Sequence, residues 1–217
     1  MKKDDAIFNI LRDQIKEIKP ILFEGDGYSN SWSKEAKKRK LSFNKSTPEA
    51  MSSYLFKKSI KLFSSLKILT QREIEARYIV DLEEYTMRIQ IEARTLGDIS
   101  RNHIIPTAIN YQNTLLENVK GLKEIYGNEF KNYAKEQMSI IERISGHVAA
   151  INSGVNSMIN SRKKANEIID CHKKAIEYSE KVLTKMDPIR YHCDKLELLV
   201  DNTLWPLAKY RELLFSY

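Results

Sequence analysis

TQREIEARYIVDLEEYTMRIQIEARTLGDISRNHIIPTAINYQNTLLENVKGLKEIYG, residues 70–127, decides the fold. Thr70 followed three residues later by Glu73 is a capping box: the hydroxyl accepts from an orphan backbone N–H and the carboxylate reaches back to the cap. From that start, apolar and aromatic side chains recur at Ile74, Tyr78, Leu82, Tyr85, Ile89, Leu96 and Ile99, keeping one stripe on one side of a helix. Arg72, Glu75, Asp81, Glu84, Arg88 and Arg94 fall on the other faces. Pro106 should kink this rod without ending it, because the pattern resumes at Ile109, Leu115, Leu116 and Val119. Gly127 supplies the stop. At 1.5 Å per residue the element is on the order of 80 Å long, more than one compact core requires.

Beyond Gly127 the spacing tightens to a seam. Alternating steps of three and four from Ala134 to Met186 visit sixteen positions, twelve of them apolar, which predicts a coiled-coil-like helix. A turn as short as Gly127-Asn128 would return it antiparallel onto the first rod. Gly146 and Gly154 weaken it locally, so a break is expected near them. Asp187-Pro188 reads as a corner that opens a third helix with Ile189, Leu196, Leu199 and Val200. The tail WPLAKYRELLF carries enough large apolar side chains to dock on the rods. The expected fold is thus all-α: an elongated antiparallel helical hairpin or bundle over residues 70–217, preceded by a loop-rich basic region over residues 1–69.

That basic region holds the chain's entire net charge of +7. Residues 1–70 carry 15 Lys and Arg against 8 Asp and Glu, and the remainder is balanced at 21 of each. Residues 4–19 suit an amphipathic helix closed by Pro20, and Gly25-Asp26-Gly27 a turn. Residues 31–39 suit a short basic helix, and Thr47-Pro48-Glu49 a cap for a helix running through Leu55, Leu62 and Phe63. The densest run, SKEAKKRKLSFNKS, lies near Trp32 and could serve nucleic acid, with lysines on phosphates and aromatics on bases. A solvated helix face and loop is the preferred reading. No apolar run approaches the length of a membrane span, and the start lacks a signal peptide, so a cytoplasmic protein with Cys171 and Cys193 as reduced thiols is expected.

No reactive constellation emerges. The residues three before His103, His147, His172 and His192 are Ser100, Ile144, Ile169 and Ile189, which excludes the Glu-x-x-His motif of di-iron bundles. Cys171-His172 and His192-Cys193 suggest a zinc set, but a corner at Pro188 would hold them far apart along two arms. His172 is expected to be packed or hydrogen-bonded. No HExxH, GxSxG or glycine-rich phosphate loop is present, so no catalytic, cofactor-binding or metal-binding residue is assigned.

Several stretches nevertheless resemble one family. FEGDGYSNSW at 23–32, KEAKKRKL and STPEA within 34–50, IEARYIVDLEEY at 74–85, IEARTLGDISRNHIIPTAINYQN at 91–113 and DKLELLVDNTLWPLAKYRELLF at 194–215 resemble the C-terminal part of type III glutamine synthetases. These are large bacterial enzymes that join ammonia to glutamate with ATP and divalent metal ions. The resemblance implies ATP and Mg2+ for the full-length family and no cofactor for this stretch, since no residue here matches the upstream catalytic strands. It further implies a C-terminal fragment of a ligase, inert alone, whose partners are further copies or the upstream catalytic domain of a two-ring oligomer. A free-standing helical scaffold binding nucleic acid through its basic entry is the alternative.

Overall fold

A computed structural model of the chain describes residues 3–214, and every regular element among them is helical. The chain divides into two compact units, Met1–Ala50 and Met51–Tyr217. The division therefore falls earlier than the expected 69/70 boundary. Met51 packs against Tyr78, Leu82 and Ala175, which ties the segment after Ala50 to the second unit.

The first unit contains α1 (Lys3–Ile18), α2 (Asn30–Lys38) and most of α3 (Thr47–Met51). Ser29 caps α2 by accepting from the Trp32 backbone N–H at 3.3 Å. Ser46, not Thr47, caps α3: its hydroxyl accepts from Glu49 N at 3.4 Å while the Glu49 carboxylate accepts from Ser46 N at 3.2 Å. α3 then stops after five residues, and extended backbone at Phe56 (ψ 138°) separates it from α4 (Lys57–Ser65), so the single helix expected here is two. No residue of α1 is buried, and Ile7, Phe8, Ile10, Leu11, Ile15 and Ile18 are all exposed.

The second unit is built on α5 (Gln71–Ile99), a π-helical turn (Ser100–Ile104) and α6 (Ile105–Tyr126). Thr70 and Glu73 form the expected capping box, with Thr70 N donating to the Glu73 carboxylate at 2.7 Å. Pro106 has no N–H and its ring crowds the carbonyl four residues back. The helix accommodates this with the wide π turn just upstream and runs on without ending. Gly127, at φ +55°, closes α6. The reversal is longer than a two-residue turn: a 3-10 turn (Gly127–Glu129) and α7 (Phe130–Tyr133) intervene, with Tyr126 and Tyr133 stacked at 4.0 Å.

α8 (Lys135–Asn166) returns antiparallel along this rod. Its partners descend α6 and α5 as α8 ascends: Gln137 donates to Asn118 at 3.2 Å, Gln112 to Ser145 at 2.6 Å, and Arg101 to Asn156 at 2.5 Å. Ala134, Ile144, Ile151, Val155, Met158 and Ala165 are buried, so the three-four spacing holds to Ala165. It fails next at Ile169, which is 98% exposed. There the helix ends, and Asp170 caps α9 (Cys171–Glu177) by accepting from Lys173 N at 2.8 Å.

The second corner is thus at 167–170, not at Pro188. From it α9, a π turn (Tyr178–Val182), a 3-10 turn (Leu183–Lys185) and α10 (Met186–Leu199) run back along α8. Tyr178 donates to Asn166 at 2.7 Å, Lys185 to Ser157 at 2.5 Å, and His147 meets His192 at 2.9 Å. The buried positions shift to Ala175, Tyr178 and Val182, one place out of step with the expected seam, while Ile189, Leu196 and Val200 are buried as expected of the third helix, with Cys193 beside them. Of the expected hairpin or bundle, the unit is the bundle, with three helical rods running up, down and up. After α10 the tail docks through Trp205, while Lys209 donates to the Glu197 carbonyl at 2.9 Å and α11 (Tyr210–Leu213) closes the described chain. Phe215, part of the tail motif, lies outside the described residues.

α8 passes both glycines unbroken, and they differ in surroundings. A Cβ at Gly154 would stand 2.8 Å from Cγ1 of Ile189, whereas one at Gly146 would meet nothing within 4 Å. Replacing glycine by alanine inside a helix gains about 0.5–1 kcal/mol, and overpacking a core contact costs about 1–3 kcal/mol. Urea unfolding should therefore show Gly146→Ala stabilised by about 0.5–1 kcal/mol and Gly154→Ala destabilised by about 1 kcal/mol or more. Two substitutions of the same sign would refute the close α8–α10 approach.

Candidate functional site

The bundle interior holds a few polar contacts between helices. Tyr78 on α5 and Nδ1 of His172 on α9 are 2.7 Å apart, so His172 is hydrogen-bonded as expected. Ser100 of the first π turn and Cys193 of α10 are 3.6 Å apart, and burial pushes the Cys193 thiol up, away from the thiolate form. Burial also raises the Tyr178 hydroxyl, outweighing the nearby positive charge of Arg162. Ser100 and Cys193 are buried, whereas the Tyr78–His172 and Tyr178–Asn166 contacts are part-buried.

Cys171 and Cys193 sit on the same returning strand of helix, roughly six turns apart, and not on two arms of a corner at Pro188. Among the described residues no group of three or more His, Cys, Asp or Glu is placed to hold a metal ion. The basic first unit is likewise less open to bases than its composition suggests. Trp32 packs on Phe23 with ring centroids 4.7 Å apart, which occupies one face of the ring that stacking would use.

The surface feature with most chemistry lies on the rod, at the first π turn. A cleft of about 620 Å³ opens between α5 and α8. Its floor is set where Gly97, without a side chain, faces Val155 and Met158. Arg94, Asp98 and Arg101 line one wall, spaced by four and three residues on one helical face, and Arg162 of α8 lines the other. Asn102 donates to the Asp98 carboxylate, and Arg101 holds the Asn156 amide oxygen. The ion pairs among the described residues are Arg12–Asp13, Arg39–Glu35, Arg88–Glu84, Lys120–Glu117 and Arg190–Asp194. None of them engages Arg94, Arg101 or Arg162, so three guanidinium-bearing side chains line the cleft against one carboxylate.

In the sequence Arg94 falls on the faces of the first rod away from its apolar stripe, and Arg162 is one of the four non-apolar positions among the sixteen of the seam. A charge at a seam position was the one available sign that this part of α8 borders something other than core.

The family model described as the glutamine synthetase C-terminal domain matches residues 6–123. The chain belongs to that family. Like the wider resemblance, the similarity of this glutamine synthetase C-terminal domain to curated proteins extends past the matched residues. It is 43% identical over 215 residues to a glutamine synthetase of Bacteroides fragilis (strain YCH46), covering 99% of this chain and 30% of that protein. It is 30% identical to a type-3 glutamine synthetase of Dictyostelium discoideum, covering 98% of this chain and 29% of that protein. A glutamine synthetase of Butyrivibrio fibrisolvens is 26% identical over 212 residues. The chain therefore spans about 30% of the length of the curated relatives it matches. No described helix is long and apolar enough to cross a membrane. None of these relatives supports the free-standing nucleic-acid-binding scaffold.

Within this glutamine synthetase C-terminal domain, the His147–His192 contact gives the bundle a pH dependence. A hydrogen bond between two Nδ1 atoms needs one bare nitrogen, and two imidazolium rings would oppose two N–H groups. Burial first, then the positive charges of His192, Arg143 and Lys195, holds His147 below the ordinary imidazole range. The unfolded chain takes up this proton more readily than the folded one, so the contribution is complete above about pH 6.5 and is lost as pH falls through the folded value. Thermal melts between pH 7.5 and pH 5.5 (about one unit either side of the free imidazole value) should fall less steeply for His147→Gln than for the parent chain.

Proposed function

We propose that the chain works as the helical C-terminal part of a type III glutamine synthetase, an ATP-dependent ligase of glutamate and ammonia. In this reading it braces the assembly and does not turn over substrate by itself. The observation that carries this is alignment of 98–99% of the chain to under a third of each relative. The catalytic work then belongs to the larger remainder of such an enzyme, where ATP and Mg2+ would bind. The cytoplasm is the compartment this reading implies.

The exposed apolar face of α1 supports the same view. Six large apolar side chains on one short helix are more than a surface helix normally leaves in water. The neighbour that would cover them is the catalytic part of the same enzyme or of an adjacent subunit. The coiled-coil character of the Ala134–Ala165 stripe, and the length of the rod it packs on, suit a strut between subunits. The basic residues around α2 would then face solvent or an acidic surface of that assembly.

Two measurements test this. A glutamine-forming assay with ATP, Mg2+, glutamate and ammonia should give no turnover by the isolated chain; turnover would overturn the reading. Co-expressed with the remainder of the Bacteroides fragilis enzyme, the chain should co-purify. Ile7→Asp with Leu11→Asp should reduce recovery by tenfold or more, about 1.4 kcal/mol, because two charges would enter an apolar contact.

A further inference from the structure

We propose that the cleft between α5 and α8 is a binding site for a small polyphosphate, a molecule carrying two or more linked phosphate groups. The inference stands on the cleft itself and not on the bracing role above. Arg94, Arg101 and Arg162 give it three guanidinium groups against the single carboxylate of Asp98, which Asn102 already engages. Arg101 and Arg162 are half-buried, so their charges are less screened than those of solvated surface arginines. Neither has an ion-pair partner among the described residues. Partly desolvated like charges facing one another raise the energy of the empty bundle, and an oxyanion between them lowers it.

Spacing selects the ligand. Arg94 and Arg101 are seven residues apart on one rod, about 10 Å along its axis, and Arg162 faces them across the cleft. A chain of two or three phosphates lying along the helix offers each guanidinium its own pair of oxygens, more contacts than a single phosphate supplies. The planar guanidinium fork pairs two phosphate oxygens at once, which favours phosphate over a lone carboxylate. Arg101 uses one nitrogen on Asn156 and keeps its remaining donors. The volume of about 620 Å³ lies within the range of small-molecule sites, roughly 300–1,000 Å³. Half-buried Ile159 in the lining offers an apolar surface for whatever the phosphates are attached to.

Isothermal titration of the full chain with inorganic tripolyphosphate, orthophosphate and a nucleoside triphosphate tests this. Tripolyphosphate is expected to bind at least tenfold more tightly than orthophosphate, with affinity falling as salt rises. A nucleoside triphosphate binding more tightly than tripolyphosphate would assign the apolar surface to the nucleoside; equal binding would assign recognition to the phosphates alone. Arg101→Gln and Arg162→Gln should each weaken tripolyphosphate by tenfold or more, and Arg72→Gln, outside the cleft, should not. Hydrogen–deuterium exchange on the unsubstituted chain covers the case in which a variant fails to fold: tripolyphosphate should protect residues 94–102 and 158–162. Absence of binding, equal affinity for orthophosphate, or protection confined to the lysine-rich residues 34–45 would overturn the proposal.

Discussion

Everything in the second unit follows from the need of α8 to bury apolar side chains on two sides at once. Ile144, Ile151, Val155 and Met158 are enclosed because α5 and α6 cover one side of the helix and α10 the other. A helix in that position cannot tolerate a wide side chain where its neighbours come closest. Gly154 is the point of contact with Ile189, and Gly97 of α5 meets Val155 and Met158 from the opposite direction. The two glycines act as notches that let three rods lie together, a packing role distinct from the helix-weakening one their propensity suggests.

What could be read from the residues was the local part of this arrangement. Thr70 and Glu73 specify their cap through contacts three residues apart, and Gly127 its stop through backbone conformation, so both are visible in a short window. The antiparallel return of α8 is implied by a short connection after Gly127, and it holds although a 3-10 turn and α7 lengthen that connection. The second reversal was misplaced for a physical reason. Ile169 continues the three-four pattern in sequence, but α8 stops at Asn166, and Asp170 accepts from Lys173 N to cap a new helix there. Once the chain turns there, the pattern after it belongs to a different surface, and Asp187-Pro188 becomes the first turn of a helix already under way.

The cleft was less legible still. Its arginines come from positions separated by some sixty residues, and only the pairing of α5 with α8 brings them together. Taken singly, Arg94 and Arg101 are ordinary members of a charged face. The histidine contact was hidden by the same misplaced corner, because His147 and His192 become neighbours only when α10 runs back along α8. Long-range polar meetings of this kind depend on topology, so an error in one turn removes them all. The family relationship survives that error because it rests on the order of residues and not on how they pack.

The π turn at Ser100–Ile104 makes the length of the rod a specification in its own right. A helix advances by about 100° per residue, and the wide turn sets the azimuth at which α6 meets α8. Removing one residue from it would restore an ordinary spiral and rotate everything downstream by that angle. Ala108 and Gln112 would swing away from α8, although no side chain in either had changed. Loops elsewhere in the chain can lengthen or shorten freely; between Thr70 and Gly127 the residue tally itself carries structural information.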